Sequence, residues 1–177
     1  MNKFFLMLSI FKSINAFVFD VDGVLTDGTL LVLENGLMAR RMHVKDGYAL
    51  QLAVKKNYKI FIISGGKSPQ VNNRLSNLGI SDVYMNVENK LEKLKELEAA
   101  FNLKKEEILY MGDDIPDIDV MQYCGLACCP ADAVAEVKTI SKYVSSFKGG
   151  EGCVRDVIEK VMKLQGKWRP DTNIQSA

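Results

Sequence analysis

Carboxylates cluster at two places in this 177-residue chain, each time directly behind a short apolar run. The first place is Phe17-Val18-Phe19-Asp20-Val21-Asp22-Gly23-Val24-Leu25-Thr26-Asp27, and the second is Ile108-Leu109-Tyr110-Met111-Gly112-Asp113-Asp114-Ile115-Pro116-Asp117. Carboxylates two positions apart repel each other, and a hard cation that takes oxygen ligands from both positions resolves the conflict. Taken alone, Asp20 and Asp22 could equally be Asx residues capping a turn. A third element, Phe61-Ile62-Ile63-Ser64-Gly65-Gly66, ends an apolar run in a hydroxyl followed by glycines. Backbone N–H groups of such glycines can approach phosphate oxygens closely. Ligands of open α/β sheets bind outside the carboxyl ends of the strands, so the three elements would surround one cavity. The chemistry they describe is magnesium-assisted phosphoryl transfer.

The elements that must position these groups are legible from periodicity. Short apolar runs at Ala16 to Phe19, Lys59 to Ile63, Asp82 to Met85, Ile108 to Met111 and Leu126 to Cys129 read as buried parallel strands. Helical patterns lie between them, at Gly47 to Lys56, Ser68 to Asn77, Lys90 to Phe101, Ile115 to Tyr123, Ala133 to Ile140 and Gly152 to Gln165. Ser68-Pro69 supplies a capping hydroxyl and a first-turn proline, and Leu78-Gly79 a glycine stop. The pattern predicts a three-layer, Rossmann-like α/β fold, a parallel sheet with helices on both faces. One segment breaks the alternation. Residues 29–44 read as a projecting hairpin turning at Asn35-Gly36, with apolar flanks that need something to pack on, naturally another subunit.

Composition bounds the partners. The 23 Lys plus Arg against 22 Asp plus Glu give a net charge of +1, with 47% hydrophobic residues. One domain spanning residues 1–177 fits this length, and the balanced charge supplies no case for nucleic acid or an anionic membrane. No run reaches the roughly 18 apolar residues of a membrane span. The N-terminus mimics a signal peptide, but cleavage after Ala16 would expose Phe17-Val18-Phe19, so an amphipathic first helix is the better reading. Cys124, Cys128, Cys129 and Cys153 form no disulfide or zinc pattern, which makes them reduced, buried thiols and places the protein in the cytoplasm. The polar tail over residues 166–177 is expected to leave the core.

From Ala16 to Lys167 the chain resembles the haloacid dehalogenase superfamily of phosphatases. The resemblance implies that Asp20 is the nucleophile and that Asp22 is the general acid, then the base for water. Ser64 would donate to the phosphoryl oxygens, and Lys90, preferred over Lys93, would balance negative charge. Mg²⁺ would be held by the carboxylates of Asp20 and Asp113 and the backbone carbonyl of Asp22, with Asp114 and Asp117 holding metal waters and Lys90. Dehalogenases of the superfamily lack the second carboxylate that stands here at Asp22, which points to phosphate ester hydrolysis.

The spacing leaves no room for a cap domain: Ser64 follows Asp20 by 44 positions, and Asp113 follows Ser64 by 49. Within the capless group the chain is most similar to phosphatases of 3-deoxy-D-manno-octulosonate 8-phosphate and of nine-carbon sugar acid phosphates. The matches include Val44-Lys45-Asp46-Gly47-Tyr48, Gly65-Gly66-Lys67-Ser68-Pro69 and Lys148-Gly149-Gly150-Glu151-Gly152 with Arg155. That similarity implies a homotetramer built through the hairpins, a sugar phosphate substrate, and a place in surface polysaccharide synthesis such as lipopolysaccharide. Gly66 departs from the arginine common in the octulosonate enzymes, so Gly65, Lys67, Arg74 and Lys45, the last donated across a subunit interface, become the candidate substrate contacts. His43 reads as a hairpin or interface residue. Two other readings compete: a capless phosphomonoesterase of looser specificity, and a noncatalytic module like the one accompanying some acylneuraminate cytidylyltransferases.

Overall fold

A computed structural model describes residues 3–174. Its sheet is made of β1 (Ala16–Phe19), β4 (Lys59–Ile63), β5 (Asp82–Tyr84), β6 (Ile108–Met111), β7 (Leu126–Cys129) and β8 (Tyr143–Val144). All pairings are parallel, in the order β5-β4-β1-β6-β7-β8. After β5 the chain returns to the far side of β1 to make β6, so the strand order reverses around β1, where an open sheet forms its crevice.

Alternation along the strands builds two cores. Phe17, Phe19, Ile60, Ile62, Leu109 and Met111 face one layer, packed against α1 (Lys3–Ser13), α2 (Val44–Lys55), α3 (Pro69–Asn77) and α7 (Cys153–Leu164). Ala16, Val18, Phe61, Ile63, Ile108 and Tyr110 face the other, against α4 (Lys90–Ala100), α5 (Ile118–Tyr123) and α6 (Ala135–Ile140). Strands buried on both faces read as continuous apolar runs, which is why the sequence exposes them so clearly. The result is the expected α/β sandwich, with no cap domain among the described residues.

The hairpin is present but smaller than its sequence pattern. Its strands, β2 (Leu31–Val32) and β3 (Met38–Ala39), are two residues each, and Gly36 turns the chain at φ +81°. An isolated bridge between Thr26 and Met42 anchors its base. Val44, assigned above to the hairpin, instead opens α2. The polar Lys45-Asp46 masks this first turn in the sequence. Asp46 is nonetheless buried, because its carboxylate accepts the Arg155 backbone N–H at 2.7 Å and docks α7 on α2.

Two other expectations are corrected, and one strand was missed. Ile115–Asp117 forms a separate tight turn before α5 rather than its first turn. Strand β8 was not legible, since two residues flanked by Ser and Lys carry no period. The tail does not leave the core as far as Ile174: Trp168 packs edge-on against Tyr48, and the Arg155 guanidinium lies over both rings. Residues 175–177 of that tail, and residues 1–2 of the N-terminal segment, lie outside the described residues. Within α1, Phe11 is buried in the core.

Candidate active site

The three chemical elements meet at the crevice. Asp20 follows β1, Ser64 follows β4 and Gly112-Asp113 follows β6, and adjacent parallel strands place them side by side. Asp20, Ser64 and Asp113 line a cavity of about 300 Å³ together with Asp22, Gly65, Gly66, Lys90, Asp114 and Asp117.

The loop after β1 is built to admit a second carboxylate. Gly23 sits at φ +84°, and a Cβ there would lie 2.0 Å from Asp113 Oδ2, so both backbone conformation and space require glycine. Thr26, fully buried, accepts the Gly23 and Gly28 N–H groups through Oγ1 and donates to the Val21 carbonyl, each at 3.3 Å. Val21 N–H donates to Asp20 Oδ1 at 2.7 Å, which fixes that carboxylate. On the opposite wall, Asn89 caps α4 by accepting the Glu92 N–H and so aims Lys90, its first residue, inward.

Lys90 Nζ lies 2.9 Å from Asp20 Oδ2 and 2.7 Å from Asp117 Oδ1, and its side chain is only 8% exposed. Asp117 is fully buried and satisfied from three sides. Its Oδ1 also accepts the Tyr110 hydroxyl at 2.7 Å, and its Oδ2 accepts the Asp113 N–H at 3.2 Å. Asp20, Asp113 and Asp117 each offer an oxygen within 4.8 Å of the others. One cation cannot neutralise this group: Asp113 Oδ1 is buried with no hydrogen-bond partner among the described residues.

The electrostatics follow. Burial, then the charge of Asp117, pushes the Asp20 carboxyl up to about 6, with Lys90 pulling the other way. Burial, then Asp20, Asp117 and Asp114, pushes Asp113 up to about 7. Burial tends to lower the Lys90 ammonium, but the adjacent Asp20 and Asp117 carboxylates outweigh it and raise it. A carboxyl raised above its ordinary value of 3.8 makes the folded chain hold protons the unfolded chain has lost. Its stabilising contribution is complete below about pH 4 and is lost as pH rises through 6 to 7. A divalent cation would replace those protons, and the orphaned Asp113 oxygen and the three converging carboxylates fit a hard ion.

The structure thus gathers Asp20, Asp22, Ser64, Gly65, Lys90, Asp113, Asp114 and Asp117 around one cavity. Ser64 Oγ accepts the Gly66 N–H at 3.1 Å, which leaves its proton to donate. Asp114 is exposed and caps its own turn through the Ile115 N–H. Lys93 stays outside, paired with Glu96. Three expected substrate contacts do not line the cavity of this chain. Lys67 is exposed, Arg74 borders a groove beneath the hairpin, and Lys45 lines a cavity of about 600 Å³ beside α7 with His43 and Arg155. Sequence reasoning missed two residues. Tyr110 looks like any core aromatic of a strand. Arg40, on the hairpin flank, grips Asp22 with Nε–Oδ1 2.6 Å and Nη2–Oδ2 3.1 Å. The one available signal was the adjacent pair Arg40-Arg41 on an extended segment, where side chains alternate and one of two neighbours must turn inward.

Comparison with known proteins agrees with this architecture. A family model described as haloacid dehalogenase-like hydrolase matches residues 76–157. The 3-deoxy-D-manno-octulosonate 8-phosphate phosphatase of Salmonella typhi is 35% identical over 156 residues, covering 88% of this chain and 83% of the relative. The crystal structure of the phosphatase of that name from Yersinia pestis superposes with a TM-score of 0.88 at 31% identity, over 90% of this chain and 86% of the other. That of the Moraxella catarrhalis phosphatase, in complex with a magnesium ion, a phosphate ion and a KDO molecule, gives 0.88 at 30% identity, over 91% and 92%. A parallel sheet whose central strand ends carry these carboxylates, and these relatives, define the class: the chain belongs to the haloacid dehalogenase-like hydrolases. Within that class it is a phosphatase related to those of 3-deoxy-D-manno-octulosonate 8-phosphate.

Proposed function

We propose that the chain is a Mg²⁺-dependent phosphatase of an eight- or nine-carbon 2-keto-3-deoxy sugar acid phosphate, with 3-deoxy-D-manno-octulosonate 8-phosphate favoured. The observation that carries this reading is the convergence of Asp20, Asp113 and Asp117 within 4.8 Å, beside Lys90 and Ser64, in a chain 35% identical to phosphatases of that sugar phosphate. The same observation weighs against a noncatalytic module. A buried carboxylate cluster left with an unsatisfied oxygen costs stability and is sustained by what it binds.

In this reading an Asp20 carboxylate oxygen attacks phosphorus, a P–O bond to Asp20 forms and the bond to the sugar oxygen breaks. Asp22, protonated on one oxygen in the substrate complex while Arg40 keeps its contact with the other, gives that proton to the departing sugar oxygen. Asp22, now ionised, takes a proton from water, whose oxygen attacks the aspartyl-phosphate, releasing inorganic phosphate and restoring the Asp20 carboxylate. The Ser64 hydroxyl donates to a phosphoryl oxygen, while Lys90 offsets charge and Asp117 holds Lys90 in place. Asp20, Asp113 and the Asp22 carbonyl would hold the magnesium ion, which when bound supplies charge neutralisation for the phosphoryl group.

A panel of sugar phosphates tests the assignment. The expected outcome is a kcat/KM for octulosonate 8-phosphate at least about tenfold above those of hexose and glycerol phosphates, as a site that recognises the sugar acid requires. A flat panel would favour the looser phosphomonoesterase.

The hairpin supports assembly. Val32 is 70% exposed and Leu31 64%, and Leu37 and Met38 are also about half exposed, a contiguous apolar arm of the kind that marks an interaction site. Light scattering is expected to give the mass of four chains, and Leu31→Glu with Val32→Lys to shift it toward one. A wild-type monomer at micromolar concentration would refute the assembly.

A further inference from the structure

We propose that Arg40 is the positioning residue for Asp22, so that the hairpin arm, and not the catalytic loop alone, sets the aim of the proton-transferring carboxylate. The inference rests on the phosphatase reading above.

Three observations carry it. Both guanidinium contacts fall on the two oxygens of one carboxylate, Nε on Oδ1 at 2.6 Å and Nη2 on Oδ2 at 3.1 Å, a bidentate fork that fixes the plane of the carboxylate as a single contact cannot. The Arg40 half of the fork is shielded, its side chain 7% exposed although it is carried on an arm whose apolar side chains stand out in solvent, while the Asp22 side chain, 36% exposed, opens to the cavity. The opposite wall is cut away for it. Gly66 does not need positive φ, yet a Cβ there would lie 3.0 Å from Asp22 Oδ2, 3.4 Å from Ser64 Oγ and 3.5 Å from Arg40 Nη2. A side chain there would press on the ends of that ion pair, so glycine leaves the fork room. Asp22 receives little other orientation, since its contact with Thr26 Oγ1 is long at 3.5 Å.

A structural salt bridge and a positioning residue make different kinetic predictions. kcat/KM reports steps up to the first irreversible one, here expulsion of the leaving group, so the later attack of water does not enter. An alkyl phosphate needs its leaving oxygen protonated, whereas 4-nitrophenyl phosphate expels a stable phenolate without help. Arg40→Ala is expected to lower kcat/KM for octulosonate 8-phosphate by roughly 100-fold while changing that for 4-nitrophenyl phosphate by less than about threefold. Arg40→Lys, which keeps the charge but not the fork, should fall between. On an Asp22→Asn background, Arg40→Ala should cost nothing further.

Both substrates are measured on the same preparation, so a partly unfolded fraction cancels in the ratio, and Arg40→Gln serves if Arg40→Ala does not fold. Equal losses on the two substrates, no loss on either, or additive effects with Asp22→Asn would overturn the proposal. Failure of the phosphatase reading looks different: wild type would then turn over neither phosphate, or do so equally well as Asp20→Asn.

Discussion

Asp20→Asn is expected to lower kcat for any phosphate monoester by roughly 10⁴-fold or more, because in the proposed mechanism it removes the atom to which phosphorus bonds. The same substitution is expected to raise the melting temperature of the cation-free protein at pH 8. Asp20 is 7% exposed and its carboxyl is pushed up to about 6, so above that pH its ionised form is disfavoured in the fold despite Lys90. A neutral isostere relieves that penalty, which one pKa unit sets at about 1.4 kcal/mol. At pH 5 the native carboxyl is mostly protonated and the difference should nearly vanish. Magnesium should raise the wild-type melting temperature at pH 8 more than at pH 5, since protons compete for Asp20 and Asp113, and should raise that of the variant less. Turnover within tenfold of wild type would remove Asp20 from the chemistry, and an unshifted melting curve in EDTA would show that the cluster carries no such strain.

The second large effect concerns Lys90, the one cation among the described residues that touches both Asp20 and Asp117. Lys90→Met keeps most of the apolar stem but leaves buried Asp117 and Asp20 without their partner. Removing one member of a buried ion pair costs about 3–5 kcal/mol, because the remaining charge stays desolvated. For a chain of this size that is a fall of about 10 °C or more in melting temperature. Activity should fall by roughly 100-fold as well, through lost stabilisation of the phosphoryl charge. The stability loss has a sign in pH: without the Lys90 charge the Asp20 carboxyl moves further up, so the defect is largest at alkaline pH and shrinks as protons replace the missing cation. Lys93→Met is the control, since that side chain pairs with Glu96 at the surface and should change little. A Lys90→Met protein that melts within 2 °C of wild type would contradict the central place given to this side chain.

Much of this architecture was legible before any coordinates. Five of the six strands were readable: β1, β4, β6 and β7 are buried almost throughout and so form nearly unbroken apolar runs before a polar, Gly or Pro residue, while the half-buried β5 was read from its short Val83-Tyr84-Met85 run. The cap of α3 was readable because Ser68 and Pro69 act locally, and Ser68 Oγ does accept the Val71 N–H. The helix over Lys90 to Phe101 was placed nearly to the residue by its leucine spacing. What failed was contact between distant segments. Asp46 reads as polar loop until Arg155 arrives from α7, and Tyr143-Val144 becomes a strand only because the edge of β7 is open beside it.

The same division runs through the candidate site. Sequence alone determined which candidate groups meet and in what order, because a strand ending in Asp20, another in Ser64 and a third before Asp113 must emerge on one edge once parallel pairing is granted. Tertiary structure alone decided that Arg40 rather than any loop residue grips Asp22, that Tyr110 serves Asp117, and that Lys45, Lys67 and Arg74 lie away from the cavity of their own chain. The physical reason is range. Periodicity and capping are interactions between near neighbours, whereas a hairpin folding back across 18 residues, or a strand hydroxyl finding a carboxylate seven residues on, depends on packing that no local pattern encodes.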